Sequence, residues 1–209
     1  MEKEEKIAKN FLVKMFGPSI DVIGGALADR LQPWRLKNQL RNFEKVKKII
    51  AKEKVEIKKI NMKVLFPYLE HIALEEDETL QDKWANLFVN YVDAKKNLTT
   101  TVYPSILSQL STHDVELIDF MRKNSNTLRI NKANEVQKNS LTNLIRLGLV
   151  SQLYNLTTYN DRFNGMQAHA GEILPSPDYY FSDFGKSFVN ALYRSKPPLD
   201  SSRGNYKVV

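Results

Sequence analysis

Between Val64 and Phe120 the chain carries a register that leaves few folds open to it: Leu80, Trp84, Leu87, Phe88 and Tyr91 recur at steps of four, three, one and three. Those steps place all five on one face of a helix, and that face is expected to be buried. Pro67 and Pro104 are expected at helix starts, where a missing N–H costs nothing. The acidic run Glu75-Glu76-Asp77-Glu78 precedes the aromatic helix and complements its N-terminal dipole. Ser111 is followed three residues on by Asp114, then by Val115, Leu117, Ile118 and Met121. This is a capping-box-like start for the next helix, with Asp in place of the usual Glu.

In this order the motifs resemble the abortive-infection alpha (Abi-alpha) family of bacterial proteins. The resemblance rests on Phe66-Pro67-Tyr68-Leu69-Glu70, the acidic turn Glu75 to Glu78, Leu80 to Leu87, Tyr103-Pro104-Ser105-Ile106 and Leu110 to Asp114. It resumes at Phe184-Gly185-Lys186-Ser187-Phe188-Val189 and covers Phe16 to Tyr193. Two positions depart from the pattern: Tyr103 stands where His is expected before the proline, and His113 stands where a proline is common in the cap. The resemblance implies a part in bacterial defence against phage by an abortive route, in which the infected cell is sacrificed or arrested.

At 209 residues and 42% hydrophobic, the chain can build one or two small domains and is too polar for a membrane bundle. It has no cysteine, which excludes disulfides, thiolate metal sites and cysteine nucleophiles together. The opening MEKEEKIAKN mixes both charges and no sustained apolar run follows, so no secretory signal is expected and the cytoplasm is the expected compartment. The sequons at Asn97 and Asn155 are then chance matches.

The net charge of +7 is concentrated: residues 1–62 carry fifteen Lys and Arg against eight Asp and Glu, residues 63–110 four against seven, and residues 111–209 twelve against nine. Most of the excess lies in WRLKNQLRNFEKVKKIIAKEKVEIKKI. Here Leu36, Leu40, Phe43, Val46 or Lys47, and Ile50 form an apolar stripe, with lysines over the rest. Such a helix either docks on a core with a solvated basic face, or offers a nucleic-acid or anionic-lipid surface through Lys45, Lys47, Lys48 and Lys52. Upstream, Gly24-Gly25-Ala26 and Ala28 lie among Ile20, Val22, Ile23 and Leu27. This suggests close packing within the fold or in a homo-oligomer; the run is too short to span a bilayer, yet with Phe16 it suits a membrane interface.

In the C-terminal third, a helix from Ser111 to Asn124, a turn at Asn124-Ser125-Asn126, and a short polar helix over Lys132 to Lys138 are expected. The helix of SLTNLIRLGLV follows, ended by Gly148 in the left-handed conformation. A strand from Val150, a polar loop over Thr157 to Pro177 containing Asn164-Gly165 and His169, and a return strand at Tyr179-Tyr180-Phe181 come next. Ser182 then caps DFGKSFVNALY. This order resembles a winged helix. The helix Asn139 to Leu147 offers Asn139, Asn143 and Arg146 to DNA, with Lys138 just before it, a thin set for a reader of base edges, and in the following loop Arg162 is the sole cation.

For catalysis the motifs are missing. His71, His113 and His169 stand on separate segments without the spacing that puts two ligands on one helix face. No phosphate loop, nucleophile elbow or dinucleotide fingerprint is present. No catalytic, cofactor-binding or metal residue is assigned, and the chain is expected not to be an enzyme.

The expected architecture is mainly α: a basic helical region over 1–62, a central helical core over 63–110, a winged-helix-like module with a small β-hairpin over 111–194, and a flexible tail over 195–209. Three mechanisms remain. A non-enzymatic binding module contacting a phage or host protein is favoured; a nucleic-acid-binding winged-helix regulator and a membrane-surface effector are the alternatives.

Overall fold

A computed structural model describes residues 33–129, 134–163 and 166–194. The expectations for Gly24-Gly25-Ala26, for the amphipathic segment Phe16 to Leu27 and for the tail from 195 lie outside them. Seven helices and three strands are found among the described residues: α1 (Pro33–Glu53), α2 (Met62–Ile72), α3 (Glu78–Val92), α4 (Tyr103–Leu107), α5 (Thr112–Lys123), β1 (Thr127–Arg129), α6 (Glu135–Arg146), β2 (Val150–Phe163), β3 (Met166–Phe181) and α7 (Asp183–Leu192). They divide into two compact units. The first holds the described residues up to Val115 with those from Phe188 onward, and the second holds Glu116–Ser187.

In the first unit the aromatic helix is as its spacing requires. Asp77 caps α3, its carboxylate accepting from the Leu80 N–H at 3.0 Å, and Leu80, Trp84, Leu87, Phe88 and Tyr91 are all buried. Trp84 meets Tyr68 edge-on at 5.5 Å, Tyr68 lies 4.6 Å from Phe88, and Phe43 of α1 stands edge-on to Phe88 at 5.8 Å. Edge-to-face and tilted pairs of this kind satisfy the ring quadrupoles as well as burying area. Tyr103, in the place where the family pattern has His, packs edge-on against Phe188 at 5.2 Å.

Pro104 does open a helix, α4, but Pro67 does not. The helix α2 begins at Met62, capped by the Asn61 side chain on the Lys63 N–H at 2.9 Å, and Pro67 lies inside it. An internal proline costs about 3 kcal/mol. Burial of Val64, Leu65, Tyr68, Leu69 and Ile72 in the same helix, at about 1.5–3 kcal/mol for each large apolar side chain, outweighs it.

The opening of α5 keeps the reciprocal cap: Ser111 N–H donates to Asp114 at 2.8 Å and Asp114 N–H to the Ser111 hydroxyl at 3.2 Å. In the second unit the sheet order β1-β3-β2, all antiparallel, with α6 between β1 and β2, is compatible with a winged helix. Three details differ from expectation. The turn places Ser125 and Asn126 at φ 59° and 64° and feeds a third strand, β1, which pairs Thr127–Arg129 with Asp178–Tyr180. The two helices expected around Lys138 are one, because Asn134 and Gln137 form a full capping box at its start. The expected polar loop is mostly strand: β2 and β3 pair from Val150 opposite Phe181 to Phe163 opposite Met166, with one irregularity between Gln152 and Tyr154. Main-chain pairing needs no side-chain alternation, so this ribbon of Thr, Asn, Asp and Gln carried no period-two signature. His169 and Arg162 are thus strand residues, opposite Asn160 and Gln167.

Candidate functional site

The helix α1 has two chemically distinct faces. Its inner face is centred on amides: Asn38 donates to the Ala73 carbonyl at 3.1 Å and Gln39 to the Leu69 carbonyl at 2.9 Å. These tie α1 to the last turn of α2, where the Leu69 carbonyl also accepts the Ala73 N–H at 3.3 Å. Asn42 donates to the Gln81 carbonyl at 2.8 Å and to its side chain at 2.6 Å, and accepts from the Tyr68 hydroxyl. Burial pushes the Tyr68 hydroxyl well above its usual range, so it remains a donor. Of the expected apolar stripe, Phe43 and Val46 are buried, Leu36, Leu40 and Ile50 are half-buried, and Lys47 is exposed. Hydropathy periodicity missed the amide face because buried, hydrogen-bonded Asn and Gln read as polar.

The flank of α1 toward α3 is neutralised. Arg41 pairs with Glu78 at 2.7 Å, and Lys45 pairs with Glu78 at 2.9 Å and with Asp82. Hydrogen bonds from Arg41 and then Lys45 hold the Glu78 carboxyl down at about 2. Burial works against the Lys45 charge, but its two carboxylate partners outweigh that and raise its proton affinity. Lys47, Lys48 and Lys52 are exposed further along the same helix. Asn143 and Arg146 lie on α6 in the other unit, where Arg146 donates to the Asn143 side-chain oxygen Oδ1 at 2.8 and 3.2 Å.

A polar cluster at the end of α3 was not anticipated. Arg194 donates to Glu53 at 2.6 Å, to Asn90 at 2.7 Å and to Asp93 at 3.0 Å. Asn90 also accepts from Lys96 at 2.7 Å and donates to the Ala191 carbonyl at 2.7 Å. The Arg194 side chain is only 10% exposed. Asp93 loses solvation on burial, but the Arg194 hydrogen bond and charge more than offset this and lower its pKa. The Lys83 ammonium sits 3.9 Å over the Tyr193 ring, adding a second tether to the same segment. Residues more than 100 positions apart meet here; the only local sign was Asn90 and Asp93 at the end of a largely apolar helix.

The three histidines lie on three elements. His71 stacks on Trp84 at 6.2 Å, His113 is exposed in the first turn of α5, and His169 belongs to β3. The acidic run is occupied with helix-start duties: Asp77 as cap, Glu75 accepting from the Asp77 N–H at 3.0 Å, and Glu78 in the ion pairs. Among the described residues no group of three His, Asp or Glu could hold a metal ion. None of the described helices is long and apolar enough to cross a membrane.

Several large apolar side chains face outward, Phe66 and Leu74 among them. Phe66 and Leu74, 48% and 51% exposed, follow the four-residue step of α2 and its end, with exposed Glu70 between them. The family model for abortive infection alpha matches residues 35–192, a span that takes in both units. No curated protein and no solved structure matches the chain.

Proposed function

The chain belongs to the abortive infection alpha family, and on that premise we propose that it serves bacterial defence against phage as a non-enzymatic binding protein acting through contacts with a phage or host protein. The observation that carries the reading is the Phe66-Glu70-Leu74 row along α2 and the turn that follows it. Large apolar side chains left exposed at four-residue spacing around a carboxylate suit a helix-in-groove contact, and Phe66 belongs to the Phe66-Pro67-Tyr68-Leu69-Glu70 stretch by which the chain resembles its family. Capping and ion pairing by the acidic turn, and the scatter of the histidines over three elements, support binding over catalysis.

The test is plating efficiency of phage on a susceptible bacterium expressing the chain, compared with a Phe66→Ser/Leu74→Ser variant. Protection by the parent, and its loss in the variant at an unchanged melting temperature, is the expected result. Protection that survives the double substitution overturns the assignment of this row. Absence of protection against a broad phage panel overturns the defensive role itself.

A further inference from the structure

We propose that the C-terminal half of α1 is a binding face for the phosphate backbone of double-stranded nucleic acid, formed by Lys47, Lys48, Lys52 and Lys54. The helix changes electrostatic character along its length. Its first half is compensated, since Arg41 and Lys45 face Glu78 and Asp82. Beyond Lys45 the sole acid before Val55 is Glu53, and Arg194 occupies that carboxylate at 2.6 Å. Lys47, Lys48, Lys52 and Lys54 are all exposed, and none forms an ion pair among the described residues. With Glu53 held by Arg194, Lys47, Lys48, Lys52 and Lys54 stay without an ion-pair partner among the described residues.

A second feature is independent of charge counting. Lys54 has φ 51°, and the Val55 N–H donates to the Ile50 carbonyl at 3.1 Å. That bond closes the helix in a Schellman motif and makes Lys54 its left-handed residue, a position glycine normally takes because a side chain there is sterically disfavoured. A purely structural cap does not call for lysine. Attraction to the helix dipole accounts for Lys52 in the last turn, but it fades before Lys47 and Lys48.

Lys47 to Lys52 span about 7.5 Å of helix at 1.5 Å per residue, with Lys54 just past the helix end, and a duplex presents a charge about every 1.7 Å of its axis, so several phosphates lie within reach together. Lysine meets phosphate as a point charge without reading bases. The binding is therefore indifferent to sequence and steep in salt. Lys45 leaves the set suggested by the sequence because its charge is already matched, and Lys54 enters it.

The experiment measures binding of the full chain to a short fluorescein-labelled DNA duplex of random sequence between about 50 and 200 mM salt. At about −0.9 per phosphate contact, replacing all four lysines by Gln should flatten the slope of log K against log salt by about 3.6, and Lys47→Gln or Lys52→Gln singly by about 0.9. Lys45→Gln should leave the slope unchanged. Circular dichroism confirms folding, and the single variants decide the matter if the quadruple variant does not fold. No duplex binding by the parent at low salt, an unaltered slope in folded variants, or binding to phosphatidylserine vesicles in place of duplex overturns the proposal. Either result leaves the plating experiment on Phe66 and Leu74 to stand or fall separately.

Discussion

Gly185 lies against the backbone of Leu149 so closely that a Cβ on Gly185 would stand 1.9 Å from the Leu149 carbonyl oxygen and 2.7 Å from its carbon. The same oxygen accepts the Ser182 N–H at 3.1 Å, while the Ser182 hydroxyl donates to the Gly148 carbonyl at 2.6 Å and accepts from the Gly185 N–H at 2.8 Å. The first turn of α7 is thus sewn to the turn that ends α6, and the glycine is what lets the two backbones meet.

Gly185→Ala should destabilise the protein by at least about 1–3 kcal/mol, the usual range for overpacking, because backbone and not a pliable side chain must give way. Gly148→Ala is the matched control. Gly148 has φ 70° and nothing within 4 Å of a Cβ, so alanine there incurs only the left-handed penalty of about 1–2 kcal/mol. Urea unfolding compares the two, and a smaller loss at Gly185 than at Gly148 contradicts the close-approach account.

Trp84 is fully buried between Tyr68 and His71, and Trp84→Ala should cost about 3–5 kcal/mol. Its indole N–H is buried without a well-formed hydrogen bond, interacting weakly with a Glu75 carboxyl that is aligned on the Asp77 N–H. Trp84→Phe keeps an aromatic ring and removes that donor, so its loss should be well under half that of alanine in thermal melts.

Arg194→Ala strips Glu53, Asn90 and Asp93 of a shared donor. Breaking a buried pair on one side costs about 3–5 kcal/mol, and with Glu53 partly exposed a loss of about 3 kcal/mol is expected. Arg194→Lys should recover less than half of it, since an ammonium cannot reproduce a guanidinium reaching three acceptors. Chemical unfolding of the two variants checks both statements.

Acid should expose the Glu78 pairing. Its folded pKa is about 2 against an ordinary 4.5, a depressed carboxylate, so its stabilisation is complete above about 4.5 and is lost as pH falls toward 2. Glu78→Gln should flatten the part of the stability profile below pH 4.5. The difference should shrink in high salt because the group is at the surface. An identical acid profile in parent and variant would show that Arg41 and Lys45 do not hold it.

Elements whose signal is local were legible in the residues alone. The aromatic face of α3, the Asp77 and Ser111 caps, the left-handed end at Gly148 and the Ser182 cap each follow from residues within a turn or two of one another, where helical period and capping chemistry act. Tertiary structure decided what depends on partners distant in the chain. Pro67 sits inside α2 because burial of that helix outweighs the proline. The ribbon of β2 and β3 forms by main-chain pairing that leaves no mark on residue type. Lys45 and Lys47 are indistinguishable by composition and two residues apart, yet one meets Glu78 and Asp82 and the other meets solvent. Which charges on α1 are spent and which remain is set by carboxylates and a guanidinium brought from α3 and from Arg194, so no reading of the helix alone could divide them.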